Sequence, residues 1–473
     1  MAAANAAKFA LQLAVLPILA QILEPSDFGL VALAMPIFLI ASMICDFGLG
    51  NAIVRAREPS RELESTIFWI SVLLASSLTG LLCLLAWPVS LLLSEPKVVP
   101  FVIALSLILP VGGALSVVHA RISRERRFGV YAKGEAIVTA VSSAAAIGAA
   151  YAGFGAWSLV VQQFTIWLVK ALWLVPQSGF RLRFYCNPAL ARPYLRFGLN
   201  AAASDLVGLA TKSAPPLIVG GVLGVAALGY YSIAYQIIRV PEIIVSAPIY
   251  LSVFTSIARW SDDRNSVNTL VLRGLRSVVT ILAPVFCGLT LVADFLVQAL
   301  FGPQWYPTAV LLILLAPAGF LVCVYSFVDA VLMGLGRSDQ QLRLTLLAGS
   351  FMSVAALVGA HYSVAGVAIG LSVGAAAVAP AYVSVLAREI QVSRLSLIKE
   401  TAAAIAATVF MAFIVMTLRI WEGGSGGWLQ LSIATLVGVV SFAVALYALS
   451  WRSIAADLRW LASSATTPEA EPS

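Results

Sequence analysis

Charge is scarce in this chain. Of 473 residues only 11% are Asp, Glu, Lys or Arg, while 61% are hydrophobic. A soluble protein of that composition could not keep its apolar surface from water. Apolar runs of about 20 residues, the length that crosses the hydrocarbon core, recur from end to end. No stretch between them is long enough for a separate soluble domain. Histidine is rarer still: His119 and His361 each stand alone near a helix end, which leaves no metal or catalytic cluster. The five cysteines, Cys45, Cys83, Cys186, Cys287 and Cys323, show no C-x-x-C spacing and read as small apolar fillers. No G-x-x-x-x-G-K-[ST] occurs, so ATP hydrolysis by a P-loop is not expected. No cofactor motif is present, no metal site and no nucleic-acid partner is expected, and no basic segment precedes the first apolar run as a signal peptide would require.

What remains is an all-α, polytopic membrane protein. Fourteen helices are expected, near 3–23, 28–50, 66–93, 98–119, 131–152, 155–176, 197–223, 226–254, 274–300, 307–333, 340–362, 364–387, 398–420 and 428–450. Basic residues test the count. Arg55, Arg57 and Arg61 follow the second run; Arg121, Arg124, Arg126, Arg127 and Lys133 the fourth; Arg181, Arg183, Arg192 and Arg196 the sixth. Later even-numbered runs behave alike, and the opposite loops hold only Lys97 and Arg419. Lys and Arg resist translocation, so the rich side, with both chain ends, is read as cytoplasmic. Trp87, Trp157, Trp305, Tyr306, Trp421 and Trp428 sit beside the short outward loops and suit an aromatic belt.

The prolines show a repeat. "PKVVPFVIALSLILPVG" (96–112) and "PQWYPTAVLLILLAPAG" (303–319) share P-x3-P-x9-P-x-G with few other identities. Upstream, "ILAQILEPSDFGLVALA" (18–34) lines up with "IVGGVLGVAALGYYSIA" (218–234), pairing Gly29 with Gly229. Six helices per unit is an even number, so the halves should be related by a parallel pseudo-twofold along the membrane normal. The expected parts are an N-terminal half (1–176), a basic, aromatic interfacial linker (177–196), a C-terminal half (197–387), an extra helix pair (398–450) and a cytoplasmic tail (451–473). Pro96 and Pro303 precede their helices, and Pro100 and Pro307 suit the first turn, where no N–H is needed. Pro110 and Pro317 fall mid-helix and should bend it, eased by Gly112 and Gly319; the bend is either a hinge or a fold-defining kink.

Charges inside a membrane mark pathways by default. The deep cations are Lys8, Lys170, Lys212 and Arg239, with Asp205 seven residues before Lys212, hence on the same helix face, and Glu242 three residues after Arg239. Alternatives stay open: Arg239 and Glu242 can neutralise each other, and Lys8 and Lys170 can snorkel to the inner interface. Lys212 lies about 22 Å into its helix at helical rise, too deep for easy snorkelling. Asp294 should be exposed at the outer end of the ninth helix.

"ILEPSDFGLVALA" (22–34), "CDFGLGNAIVRA" (45–56), "LFGPQWYPTAVLLILLAPAG" (300–319) and "VLMGLGR" (331–337) resemble the polysaccharide transporter family of the multidrug/oligosaccharidyl-lipid/polysaccharide flippase superfamily. The resemblance implies a flippase for undecaprenyl-pyrophosphate-linked oligosaccharides in a bacterial inner membrane, serving exopolysaccharide, capsule or O-antigen synthesis. It implies no catalytic residue, and as partners the lipid-linked cargo, membrane lipids, and the polysaccharide polymerase and export machinery. Two other readings compete. A multidrug cation antiporter of the same superfamily predicts acidic cavity groups, whereas the deep charges here lean positive. An integral membrane polymerase or glycosyltransferase needs a large loop to seat acid–base groups, and no outer loop here offers one. A reporter fused after Ser473 should read cytoplasmic and one inserted at Gly424 periplasmic; a cytoplasmic reading at Gly424 removes the fourteen-helix topology.

Overall fold

The computed structural model describes residues 2–46, 53, 60–125, 127–180, 182–188, 190, 209, 213–259, 264–422 and 428–466. Among them there are helices and no strands, because an isolated strand in hydrocarbon would leave its backbone groups unpaired. The helices are α1 (Ala2–Ile22), α2 (Pro25–Asp46), α3 (Arg61–Leu92), α4 (Val99–Ser106), α5 (Leu109–Arg124), α6 (Phe128–Tyr151), α7 (Trp157–Ser178), α8 (Ser213–Leu223) and α9 (Val225–Pro241). A π-helical turn, Glu242–Ser246, leads into α10 (Ala247–Arg259). Then come α11 (Arg264–Phe301), α12 (Tyr306–Gly334), α13 (Ser338–Ala360), α14 (Val364–Glu389), α15 (Arg394–Glu422) and α16 (Trp428–Thr466). Among the described residues, twelve spans are long and apolar enough to cross a membrane. The protein is a multi-pass membrane protein. The last helix runs on to Thr466, beyond the expected end at 450.

The chain divides into two compact units. The first holds Met1–Ile233 with Ala356–Val367, the second Ala234–Ala355 with Ala368–Ser473.

In the first unit the starts of α2 and α9 cross at backbone contact. A Cβ on Gly29 would lie 1.7 Å from the Val225 carbonyl oxygen, and a Cβ on Gly229 would lie 1.8 Å from that of Pro25. Each glycine thus meets the residue four before the other, and the same offset of 200 separates both pairs. Reciprocal contacts of this kind are the signature of a local twofold. Small residues allow such close passage where lipid supplies no hydrophobic drive between helices. Asp27, two residues before Gly29, accepts from the Glu24 N–H (3.1 Å) and from the Ala156 N–H (3.1 Å). Ala156 is the N-cap of α7. One carboxylate therefore serves the N-termini of α2 and α7, where backbone donors and the helix dipole favour negative charge.

The second unit clasps its extra helices with ion pairs. Near the start of α11, Arg276 Nε donates to Glu400 on α15 at 3.0 Å. Near the ends of both helices, Arg419 pairs with Asp294, lies 4.6 Å from the Phe295 ring centre and donates to the Leu291 carbonyl. Arg276 and Asp294 come in the same chain order as Glu400 and Arg419, so α11 and α15 run parallel. Three spans, α12 to α14, lie between them, and an odd number is what parallel spans and the alternation of basic loops require. Asp294 is not exposed as expected; its side chain is 35% exposed and spoken for.

Two other expectations are corrected. Trp305 is fully buried and packs near Phe301, so it belongs to the core and not to an interfacial belt. Cys186 is exposed, unlike the buried Cys45 and Cys323.

Gly29→Ala and Gly229→Ala each force a methyl group into a carbonyl oxygen. Each should destabilise the purified protein by roughly 1–3 kcal/mol, the usual cost of overpacking, read as a lower thermal midpoint in detergent. Unchanged midpoints for both would show that the crossing is looser than described.

Candidate functional site

The repeated prolines produce unlike results. Pro96 and Pro303 each open a 3-10 turn, and Pro100 and Pro307 occupy the first turns of α4 and α12. Pro110 differs from Pro317. The fourth span breaks at Leu107–Ile108, so Pro110 starts a new helix, α5. Pro317 lies inside the unbroken α12.

A neighbouring hydroxyl reaches a backbone carbonyl close to each proline. Pro110 has no N–H for the Ser106 carbonyl, four residues back. Thr79 Oγ1 on α3 lies 2.8 Å from that oxygen and 2.9 Å from the Ala75 carbonyl, so its single proton is shared between two helices. Near Pro317, Ser372 on α14 donates to the Leu314 carbonyl at 2.5 Å. Gly112 faces the Trp167 ring, 3.3 Å from where a Cβ would sit. Gly319 admits Ile238 and Phe286, which a Cβ would meet at 2.5 and 2.7 Å. Both glycines therefore serve close packing as well as any bend.

The deep charges separate into several settings. Lys212 and Asp205 lie outside the described residues, and Lys8 is placed only as a helical residue of α1. Arg239 sits in the middle of the Val225–Ile257 span, is exposed, and holds its guanidinium 5.9 Å from the Tyr235 ring centre. Among the described residues no ion pair within 4.0 Å joins it to Glu242. Mutual neutralisation, open from the sequence, is not what the structure has. Glu242 instead opens the π-helical turn that follows Pro241. Proline removes a ladder bond and such turns relieve the resulting mismatch. Lys170 does not snorkel to the interface alone; its Nζ lies 2.9 Å from Glu135 Oε1 on α6.

The sequence reading passed over Glu135 and the π-turn. A single acid in the fifth apolar run and a proline fifteen residues into the eighth were visible signals. What was not visible was the partner, because α6 and α7 bring Glu135 and Lys170 together from 35 residues apart.

A polytopic helical chain with an exposed mid-membrane cation and helices opened at proline defines a membrane transporter scaffold. The chain belongs to the family described as polysaccharide biosynthesis protein, which matches residues 18–310. It is 28% identical over 70% of its length, and 67% of the relative's, to "Succinoglycan biosynthesis transport protein ExoT" of Rhizobium meliloti (strain 1021). It is 25% identical over 76% of its length, and 72% of the relative's, to "Lipopolysaccharide biosynthesis protein WzxC" of Escherichia coli (strain K12). Among solved structures it resembles the lipid II flippase MurJ in an inward closed conformation, with TM-score 0.77 and 12% identity over 95% of this chain and 98% of that one. An inward-facing multidrug MATE transporter follows with TM-score 0.65 and 18% identity, over 81% and 94%. These two likenesses define the fold.

Thr79→Val removes the hydroxyl and keeps the shape. It should cost about 1–3 kcal/mol, the penalty for a buried carbonyl left without a donor, and should lower the thermal midpoint while the protein still inserts. An unchanged midpoint would mean that the α4–α5 break satisfies its own carbonyls.

Proposed function

We propose that this protein moves undecaprenyl-pyrophosphate-linked oligosaccharide units across the bacterial inner membrane, for exopolysaccharide, capsule or O-antigen synthesis. The observation that carries this reading is Arg239, an exposed cation in the middle of an apolar span with no carboxylate within ion-pair reach among the described residues. Such a charge costs at least ~2.5–3.5 kcal/mol even on the lenient insertion scale. An anionic cargo passing that depth gives the cost a use. Family membership supports the polysaccharide setting, and the names of the relatives fit it.

In this reading Lys212 and Arg239 bind the pyrophosphate. Asp205, Lys8 and Glu242 are the further candidates, and Lys170 is held by Glu135. The proposed parts are the halves 1–176 and 197–387, working by alternating access, the helix pair 398–450, the tail 451–473, and a linker, 177–196, on the cytoplasmic face with both termini. The linker has the chemistry of an interface. Trp69 Nε1 donates to the Arg183 carbonyl (3.0 Å), Phe184 stacks on Trp69 at 5.5 Å yet is 90% exposed, and the Asn187 N–H donates to Thr66. Partners are the lipid-linked cargo, surrounding lipids, and the polymerase and export machinery. No bond is made or broken, so the protein is not an enzyme. The multidrug reading asks for an acid at this depth where Arg239 stands.

Deletion of the gene in a producing cell should leave lipid-linked units on the inner leaflet. Lys212→Ala and Arg239→Ala should each reduce export at matched protein level, Lys212→Ala to background. Lys212→Arg should retain part, since charge is kept and geometry is not. Wild-type export by both alanine variants would sink the cationic-cavity reading.

A further inference from the structure

A second charged cluster lies wholly inside the first unit. Glu135 on α6 and Lys170 on α7 pair at 2.9 Å, their side chains 24% and 21% exposed. Seven residues separate Phe128, the start of α6, from Glu135, which is about 10 Å of helix. The pair is therefore inside the apolar span, within reach of one helix end. A cleft of about 10 Å³ opens beside it between Tyr131, Glu135, Lys170 and Trp173, room for one water. That cleft is built. Gly134 leaves space for the Trp173 indole, which a Cβ would meet at 2.6 Å, and Trp173 Nε1 donates to the Val130 carbonyl at 3.1 Å. His119 on α5 flanks the cluster. Its ring centre is 5.6 Å from that of Tyr131, whose hydroxyl donates to the His119 carbonyl at 3.1 Å.

An ion pair in apolar surroundings is weak evidence for stability, since well-packed apolar residues of the same volume often do as well. An acid, a base, an imidazole and a water-sized cleft together offer something apolar residues cannot: a place for a proton to come and go. We propose that Glu135 is a proton-binding site that couples cargo movement to a proton gradient. The carboxylate takes a proton from water in the cleft, with His119 as the neighbouring relay. Lys170 then loses its counter-ion and is free to turn further toward the Trp167 ring, whose centre lies 5.9 Å from its Nζ. Release of the proton restores the pair. The titratable groups placed around Glu135 are Lys170 from α7, His119 from α5 and Tyr131 on its own helix. Arg121 on α5 is engaged elsewhere, 2.9 Å from Glu64. The coupling rests on the transport function proposed above; the proton site does not.

Two measurements on the full-length protein in lipid separate them. Infrared pH titration of the purified protein should show a protonated-carboxyl band that Glu135→Gln abolishes. In proteoliposomes clamped at zero potential, the steady-state distribution of lipid-linked oligosaccharide should shift about tenfold per unit of imposed pH difference, the equilibrium value for one proton per cargo. Glu135→Gln should flatten that response, and Glu135→Asp should keep most of it. The double variant Glu135→Gln/Lys170→Met, which leaves no unpaired charge, should be equally flat and stands in if the single variant fails to insert. An unaltered band in Glu135→Gln, or a wild-type pH response in the double variant, overturns the proposal in favour of a purely structural pair. A titrating Glu135 band in a protein that moves no lipid-linked oligosaccharide keeps the proton site and removes the cargo.

Discussion

The backbone crossing of α2 and α9 at Gly29 and Gly229 limits everything built around it. Neither helix can carry a side chain at the contact, because each glycine faces a carbonyl oxygen where its Cβ would be. The contact is reciprocal, so one sequence rule has to be met twice, 200 residues apart, and Pro25 and Val225 supply the facing carbonyls. Asp27 then fixes the start of α2 to the start of α7. A helix end that supplies its own acid at its own N-terminus and at a neighbour's is anchored by charge, dipole and close packing at once.

Charge follows the same economy inside the membrane. Glu64 with Arg121, Glu135 with Lys170, Arg276 with Glu400 and Asp294 with Arg419 all meet within one unit. Each pair joins two different helices, so each fixes a neighbour and a register. Arg239 departs from this pattern by facing an aromatic ring in place of an acid. Among the described residues it is a cation within an apolar span that lies against a ring and not an acid.

The architecture was legible because membrane insertion imposes rules that single residues reveal. Apolar length set the helices, and the parallel ladder of Arg276–Glu400 and Arg419–Asp294 agrees with the alternation of basic loops. The repeat was legible from Gly29 with Gly229 and from the paired prolines. The consequences of those prolines were not. Pro110 and Pro317 stand at matched positions, yet one begins a helix and the other sits inside one. Their partners differ too, Thr79 of α3 near one and Ser372 of α14 near the other, and long-range hydroxyl partners leave no periodic trace. The charged site was half legible. Lys170 and Arg239 stood out as cations in apolar runs, but Glu135 needed a folded α6–α7 pair to become its partner. The burial of Trp305 was hidden because an aromatic beside a short loop looks the same whether it faces lipid headgroups or Phe301.

A protein that moves an anionic headgroup without chemistry can divide the work between a fixed charge on the cargo path and a variable charge that sets direction. Two residues let cargo and proton be bound without displacing one another. Arginine supplies a fixed charge, so Arg239 suits the first task. A carboxylate can gain and lose a proton, and Glu135 sits in the first unit while Arg239 sits in the second. One helix, α9, begins beside the Gly229 crossing and carries Arg239.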